Sequence, residues 1–137
     1  MTRRWFGVLG LGALCCAVVG CSRTPAAPAE MPLPLGRWVG EGCLSVTESR
    51  CDLVVGCGHG QFPRPFVATD GAFVADGTYR IEVGPISINP PPPAHFTGVV
   101  SGRTLTMTVV PGDGSTPPAS YRLQLTNDTG TCAVPCV

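Results

Sequence analysis

The 137-residue sequence predicts an all-β fold: an antiparallel up-and-down meander of about seven to nine short strands closed as a small barrel, with a β-sandwich as the alternative. Three observations lead there. No segment after Cys21 sustains a helical period, while several short runs alternate apolar with polar residues. Those runs are separated by Asp70-Gly71, Asp76-Gly77, Ser101-Gly102 and Asp113-Gly114, dipeptides that supply the positive φ angles of tight turns.

In chain order the strand-like runs are 37–46, a short one at 52–55, 65–69, 72–75, 78–83, a further short run at 86–88, 95–100, 103–110 and 120–126. One hairpin carries its own consistency check. With Ser101-Gly102 as a two-residue loop, Val100 faces Arg103, Gly98 faces Leu105, Phe96 faces Met107 and Ala94 faces Val109, so the large apolar groups other than Val99 share one side. A slip of one residue would exchange the faces. In the last strand Tyr121, Leu123 and Leu125 alternate with Arg122, Gln124 and Thr126, and Tyr79, Ile81 and Val83 alternate with Arg80 and Glu82. The run Asn89-Pro90-Pro91-Pro92-Pro93 cannot donate to a ladder and reads as a stiff exposed connection between strands. A preformed polyproline segment could also meet a partner.

The organisation has three parts. Thr2-Arg3-Arg4 is followed by an uncharged run from Trp5 to Gly20, which reads as an export signal over 1–20, too short for a permanent span. Residues 21–35 are rich in Pro and Ala and read as a tether, and 36–137 form one domain. The Arg pair also fits a twin-arginine route, which the cysteines oppose because folding would precede export into an oxidising compartment.

Val18-Val19-Gly20-Cys21 resembles the lipobox of bacterial lipoproteins. That resemblance implies cleavage before Cys21, a diacylglycerol on its thiol and acylation of the new amino terminus, hence a stable membrane anchor. Ser22, rather than Asp, resembles the pattern sent on to an outer membrane where the organism has one; otherwise the outer face of the plasma membrane holds the anchor. A plain secretory signal cut within 26–29 is the alternative.

Without residues 1–20 the chain has seven arginines, no lysine and nine acids. This mildly acidic balance excludes the basic footprint of a nucleic-acid binder. Five cysteines remain after Cys21: Cys43, Cys51, Cys57, Cys132 and Cys136. In a small exported domain they read as disulfides. Bridges from Cys51 and Cys57 to Cys132 and Cys136 would tie the C-terminal tail to the opening loop. Alternation places Trp38, Leu44 and Val46 inward and Cys43 outward with Glu41 and Ser45, so Cys43 is the expected unpaired thiol.

Chemistry-bearing residues are sparse. Cys57-Gly58-His59 with another cysteine would suit a soft metal, but no CxxC pair is present, and neither metal nor cofactor is expected. His59 falls in a Gly-rich loop and His95 on an outward strand face, both expected in solvent. Asp70, Asp76 and Asp113 fall in turns, where their side chains cap backbone. No nucleophile elbow, HExxH or phosphate loop occurs, so the chain is expected not to be an enzyme.

Gly36-Arg37-Trp38 at the first strand resembles the GxW signature of lipocalins and related calycin barrels. The resemblance implies a Trp closing one barrel end with a basic residue of the last strand packed on it, here Arg122, although its alternation with Tyr121 and Leu123 opposes that. The expected role is non-catalytic binding of a protein, glycan or small apolar ligand at the cell envelope. An envelope inhibitor of a hydrolase such as lysozyme is the first alternative and a small secreted enzyme the second.

Overall fold

The computed structural model describes residues 29–82, 89–114, 116–133 and 136. Segment 1–20, Cys21 and the run 86–88 lie outside them. The strands are β1 (Met31–Pro32), β2 (Gly36–Gly40), β3 (Cys43–Val46), β4 (Arg50–Val55), β5 (Gly58–Pro63), β6 (Phe66–Val67), β7 (Ala72–Ile81), β8 (Pro93–Ser101), β9 (Thr104–Pro111) and β10 (Ala119–Leu125). Eight of them close an antiparallel barrel in the order β10-β2-β3-β4-β5-β7-β8-β9, while β1 and β6 form a small sheet of their own. Barrel neighbours follow chain order and β10 returns to β2, which makes a meander without open edges.

An eight-stranded barrel is just wide enough for side chains to fill it. Trp38, Leu44, Leu53, Phe96, Leu105, Met107 and Leu123 are fully buried inside. Phe62 stacks on Phe96 with centroids 4.4 Å apart.

Several predicted elements move. The run 37–46 is two strands, because Gly40-Glu41-Gly42 turns the chain and pairs Trp38 with Leu44. An added Cβ at Gly40 would lie 2.3 Å from the Arg122 carbonyl oxygen, so β10 passes too closely for any side chain there. The runs 72–75 and 78–83 are joined in β7 with no turn at Asp76-Gly77. Gly77 has an ordinary strand φ, and its role is close approach: a Cβ would sit 2.0 Å from the Gln61 carbonyl oxygen. Of the run 65–69 only Phe66 and Val67 are strand, paired with β1. Pro93 opens β8, and the Pro92 carbonyl accepts from the Tyr79 N–H at 3.0 Å, so the proline run is partly built into the sheet.

The β8–β9 hairpin keeps its predicted faces but shifts its register by two. Ser101 pairs with Thr104, Val100 with Leu105, Gly98 with Met107 and Phe96 with Val109. The loop is Gly102-Arg103, and only Gly102 has positive φ, at 59°. That is the arrangement of a type II′ turn, with glycine at the first central position rather than the second. Gly56-Cys57 turns the chain in the same way between β4 and β5, with Gly56 at φ 51° and Val55 paired with Gly58.

The barrel has two unlike ends. At one, Leu33 is fully buried, its N–H donates to the Pro65 carbonyl at 2.9 Å, and its carbonyl accepts from Arg64 Nε at 2.7 Å. Trp38 Nε1 donates to the Pro34 carbonyl at 3.3 Å. Residues 31–35 therefore close this end, and the predicted tether boundary at residue 35 moves back to about Met31. The opposite end carries the turn at 40–42, the Gly56-Cys57 turn and the connection between β9 and β10; we call it the mouth.

The cysteine expectation is corrected. Cys43 is bonded to Cys132 with Cα atoms 5.6 Å apart, Cys57 is bonded to Cys136, and Cys51 is the free cysteine among the described residues. Cys43 does face outward, and outward is where the tail runs. From β10 the chain pairs Thr126 N–H with the Arg37 carbonyl, and the Arg37 guanidinium ion-pairs with Asp128 before the chain reaches Cys132. Ser45 and Val54 face the same way by register and are nonetheless buried beside this tail. Cys51 pairs with Val46 and points into the core. Burial, with the Asp52 charge beside it, pushes its thiol up to about 12.

A protonated thiol in a dry core is a poor nucleophile. In a chain beginning at Ser22, iodoacetamide is therefore expected to leave the folded protein unlabelled and to modify one thiol, Cys51, after unfolding in denaturant without reductant. Peptide mass mapping checks it; labelling of Cys43 instead, or equally fast labelling of the folded protein, would contradict the assignment.

Candidate functional site

Space at the mouth follows from where large and small residues meet. On β5 the inward positions are Gly58, Gly60 and Phe62, alternating with outward His59, Gln61 and Pro63. Gly60 pairs with Tyr79, and a Cβ on Gly60 would touch the Phe96 ring at 3.0 Å. A Cβ on Gly58 would lie 1.9 Å from the Tyr79 hydroxyl oxygen. The missing side chains of β5 thus give room for the Tyr79 ring to lie across the top of the filled core.

Above that floor is a cup of about 250 Å³ lined by Tyr79 and Ile81 of β7, Val109 and Pro111 of β9, and Ala119 and Tyr121 of β10, with Thr116 and Pro117 at its rim. Its walls are apolar apart from the two phenols, which share a hydrogen bond. Burial first, then the neighbouring Tyr121, pushes the Tyr79 hydroxyl up to about 12, so it stays a neutral donor at physiological pH. The arrangement can receive an apolar or aromatic group and offer it a phenolic hydrogen bond.

A larger trough of about 570 Å³ lies outside the barrel, where β2 and β10 pair over three residues, and is lined by Val39, Glu41, Arg122, Gln124 and their neighbours. It is an open surface feature, and its Glu41 carboxylate already accepts from the Arg122 N–H at 2.6 Å. Arg122 is exposed here, on the far side of the sheet from buried Trp38, which corrects the expected stacking of the two.

His59 is on β5, not in a loop, and its side chain is 17% exposed rather than in open solvent. Its ring nitrogens lie 3.7 Å from Asp52 and 3.7 Å from Glu82. Both carboxylates have closer partners: Gln61 at 2.7 Å and Arg50 at 3.1 Å for Asp52, and Arg80 at 2.8 Å for Glu82. The hollow beside the imidazole holds about 10 Å³, space for a single water and no substrate. The Cys57 thiol is spent in its disulfide, which takes it out of the Cys57-Gly58-His59 metal arrangement. His95 is half exposed on β8, with Nδ1 2.7 Å from Asp76 across the β7–β8 ladder. Asp76 is therefore a strand residue and no turn cap, whereas Asp70 does cap, accepting from the Ala72 N–H at 3.0 Å.

No match to this chain was found among protein-family models, curated proteins or solved structures. The site therefore stands on its own geometry. Sequence reading placed Tyr79 and Tyr121 on inward faces without showing that they meet. The signal for β5 was present in the alternation of Gly58-His59-Gly60-Gln61-Phe62 after a Gly-Xaa turn, with glycine filling the inward positions that hydrophobic residues usually mark.

Proposed function

We propose that this is a lipid-anchored, non-catalytic binding protein of the cell envelope, held through Cys21, whose barrel mouth takes a small apolar or aromatic group. The observation that carries the ligand class is the cup: about 250 Å³, apolar walls and two phenolic hydroxyls at one end of an otherwise filled barrel. That volume falls below the roughly 300–1,000 Å³ of sites for drug-sized molecules, so the occupant is a single ring, a short chain, or one side chain of a partner protein. The lipobox resemblance supports the anchor, and two disulfides suit an oxidising compartment.

The test uses p-cresol as the probe. In ¹⁵N-labelled protein beginning at Ser22, titration is expected to shift amide resonances of Tyr79, Ile81, Ala119 and Tyr121 and to leave β2–β4 still. Ala119→Phe, which fills the cup from an already inward position, is expected to abolish the shifts while preserving the spectrum of the fold. Shifts that ignore the cup, or survive Ala119→Phe, would remove the reading.

A further inference from the structure

The closed end bears an apolar surface that no other described residue covers. Along the chain reaching β2, Met31 is 70% exposed, Leu33 is buried, and Leu35 is 45% exposed. Buried Leu33 fixes the segment, and Met31 and Leu35 stand exposed before and after it. Phe66 of β6, paired with Pro32, is 63% exposed and lines one hollow with Val74, itself 67% exposed. A large aromatic ring left in water beside an exposed methionine marks an interaction surface more clearly than scattered valines do.

The occupant follows from where the chain leaves. We propose that Met31, Leu35 and Phe66 sit in the interfacial layer of the same bilayer that holds the acyl chains of Cys21, so that the barrel stands with its closed end down and its mouth facing away. The proposal rests on the Cys21 anchor put forward above. Nine residues, 22–30, separate Cys21 from Met31. Even fully extended, at about 3.3–3.6 Å per residue, they keep the patch within about 35 Å of the membrane. A tether that short gives an effective concentration on the order of millimolar, enough to populate a contact too weak to hold an untethered domain. The backbone fits a poorly hydrated layer, since β1 and β6 are paired and Leu33 is hydrogen-bonded through both its N–H and carbonyl. Exposed phenylalanine, methionine and leucine side chains at this one end of the barrel give the apolar surface that interfacial seating needs.

The test reconstitutes the full protein purified from its own membrane into vesicles of phosphatidylethanolamine and phosphatidylglycerol carrying bromine high on the acyl chains. Intact mass first reports whether Cys21 is acylated. With Phe66→Trp, indole emission is expected to fall about twofold, the effect of an apolar side chain seated at the headgroup boundary. Val110→Trp, placed towards the mouth, and the unmodified protein with buried Trp38 are expected to keep their emission. Amide exchange in the unmodified protein gives a second reading that needs no variant: residues 66–67 slow on vesicles and β10 does not. Acylated Cys21 with equal emission at both positions and no slowing at 66–67 overturns the seating alone. Slowing at 66–67 that also occurs without vesicles and depends on protein concentration overturns it in favour of a second copy of the chain. Unacylated Cys21 overturns the anchor and the seating together.

Discussion

Replacing Cys43 and Cys132 by alanine is expected to lower the unfolding free energy by about 3 kcal/mol, replacing Cys57 and Cys136 by about the same, and replacing all four by about 7–8 kcal/mol. The inequality comes from the nesting of the bridges. They are closed over sequence separations of 89 and 79, but with one in place the other closes only a ring of about 20 residues made of 43–57 and 132–136. Loop-closure entropy grows with the logarithm of ring size, so the second bridge to form contributes about 3 kcal/mol and the first about 4.6 kcal/mol. Either single removal leaves the large loop closed, and only the double removal opens it. Urea denaturation of the three variants checks this. The combined loss should exceed the sum of the two single losses by about 1.5 kcal/mol, and simple additivity would show that the tail and the Cys43–Cys57 segment do not act as one ring.

Trp38→Ala is the other change with a large expected effect, about 3–5 kcal/mol. The indole is fully buried in the core beneath the closed end, opposite Leu44 on β3 and Leu125 on β10, and its Nε1 holds the Pro34 carbonyl. Truncation leaves a void in the core and also releases the segment that covers the closed end. Trp38→Phe keeps most of the ring and removes the hydrogen bond, which should cost about 1–2 kcal/mol. The two roles separate in hydrogen exchange: Trp38→Phe should raise exchange at Leu33 more than at Leu44, whereas Trp38→Ala should raise both. Equal stability of Trp38→Ala and the parent would mean that the barrel does not depend on this side chain.

Alternation was enough to read the faces of the barrel, because side-chain direction on a strand is set by parity alone. Phe96, Met107, Leu123 and Tyr79 point inward as their positions imply. Register needed more: moving Gly102 from the second to the first central turn position slides β9 by two residues and preserves every face. Strand β5 was hidden because its inward side is glycine, placed there by the Tyr79 and Phe96 rings across the barrel, and such cross-barrel pressure has no local signature. The same holds for Gly77, whose place beside Asp76 imitates a turn while its real neighbour is the Gln61 carbonyl. For Cys43 the parity was right, and the inference from it failed because an outward thiol becomes a partner once the tail crosses that side. The cup belongs to the same category: Tyr79, Val109 and Tyr121 were each legible as inward residues, but their meeting around an unfilled volume depends on the closed topology.

The clasp between the tail and the first strands also bears on which thiols can pair wrongly. Cys43, Cys51 and Cys57 are synthesised some 80 residues before Cys132 and Cys136, and the earlier thiols are close enough in sequence to pair wrongly with one another. The β3–β4 register separates two of them, because Cys43 and Cys51 stand on opposite faces of that pair of strands. By pairing Val46 with Cys51 it turns the Cys51 thiol into the barrel interior and leaves Cys43 on the outside. The unpaired cysteine is thus the one whose strand position turns it into the barrel, and the two outside it are those for which the last residues of the chain bring partners.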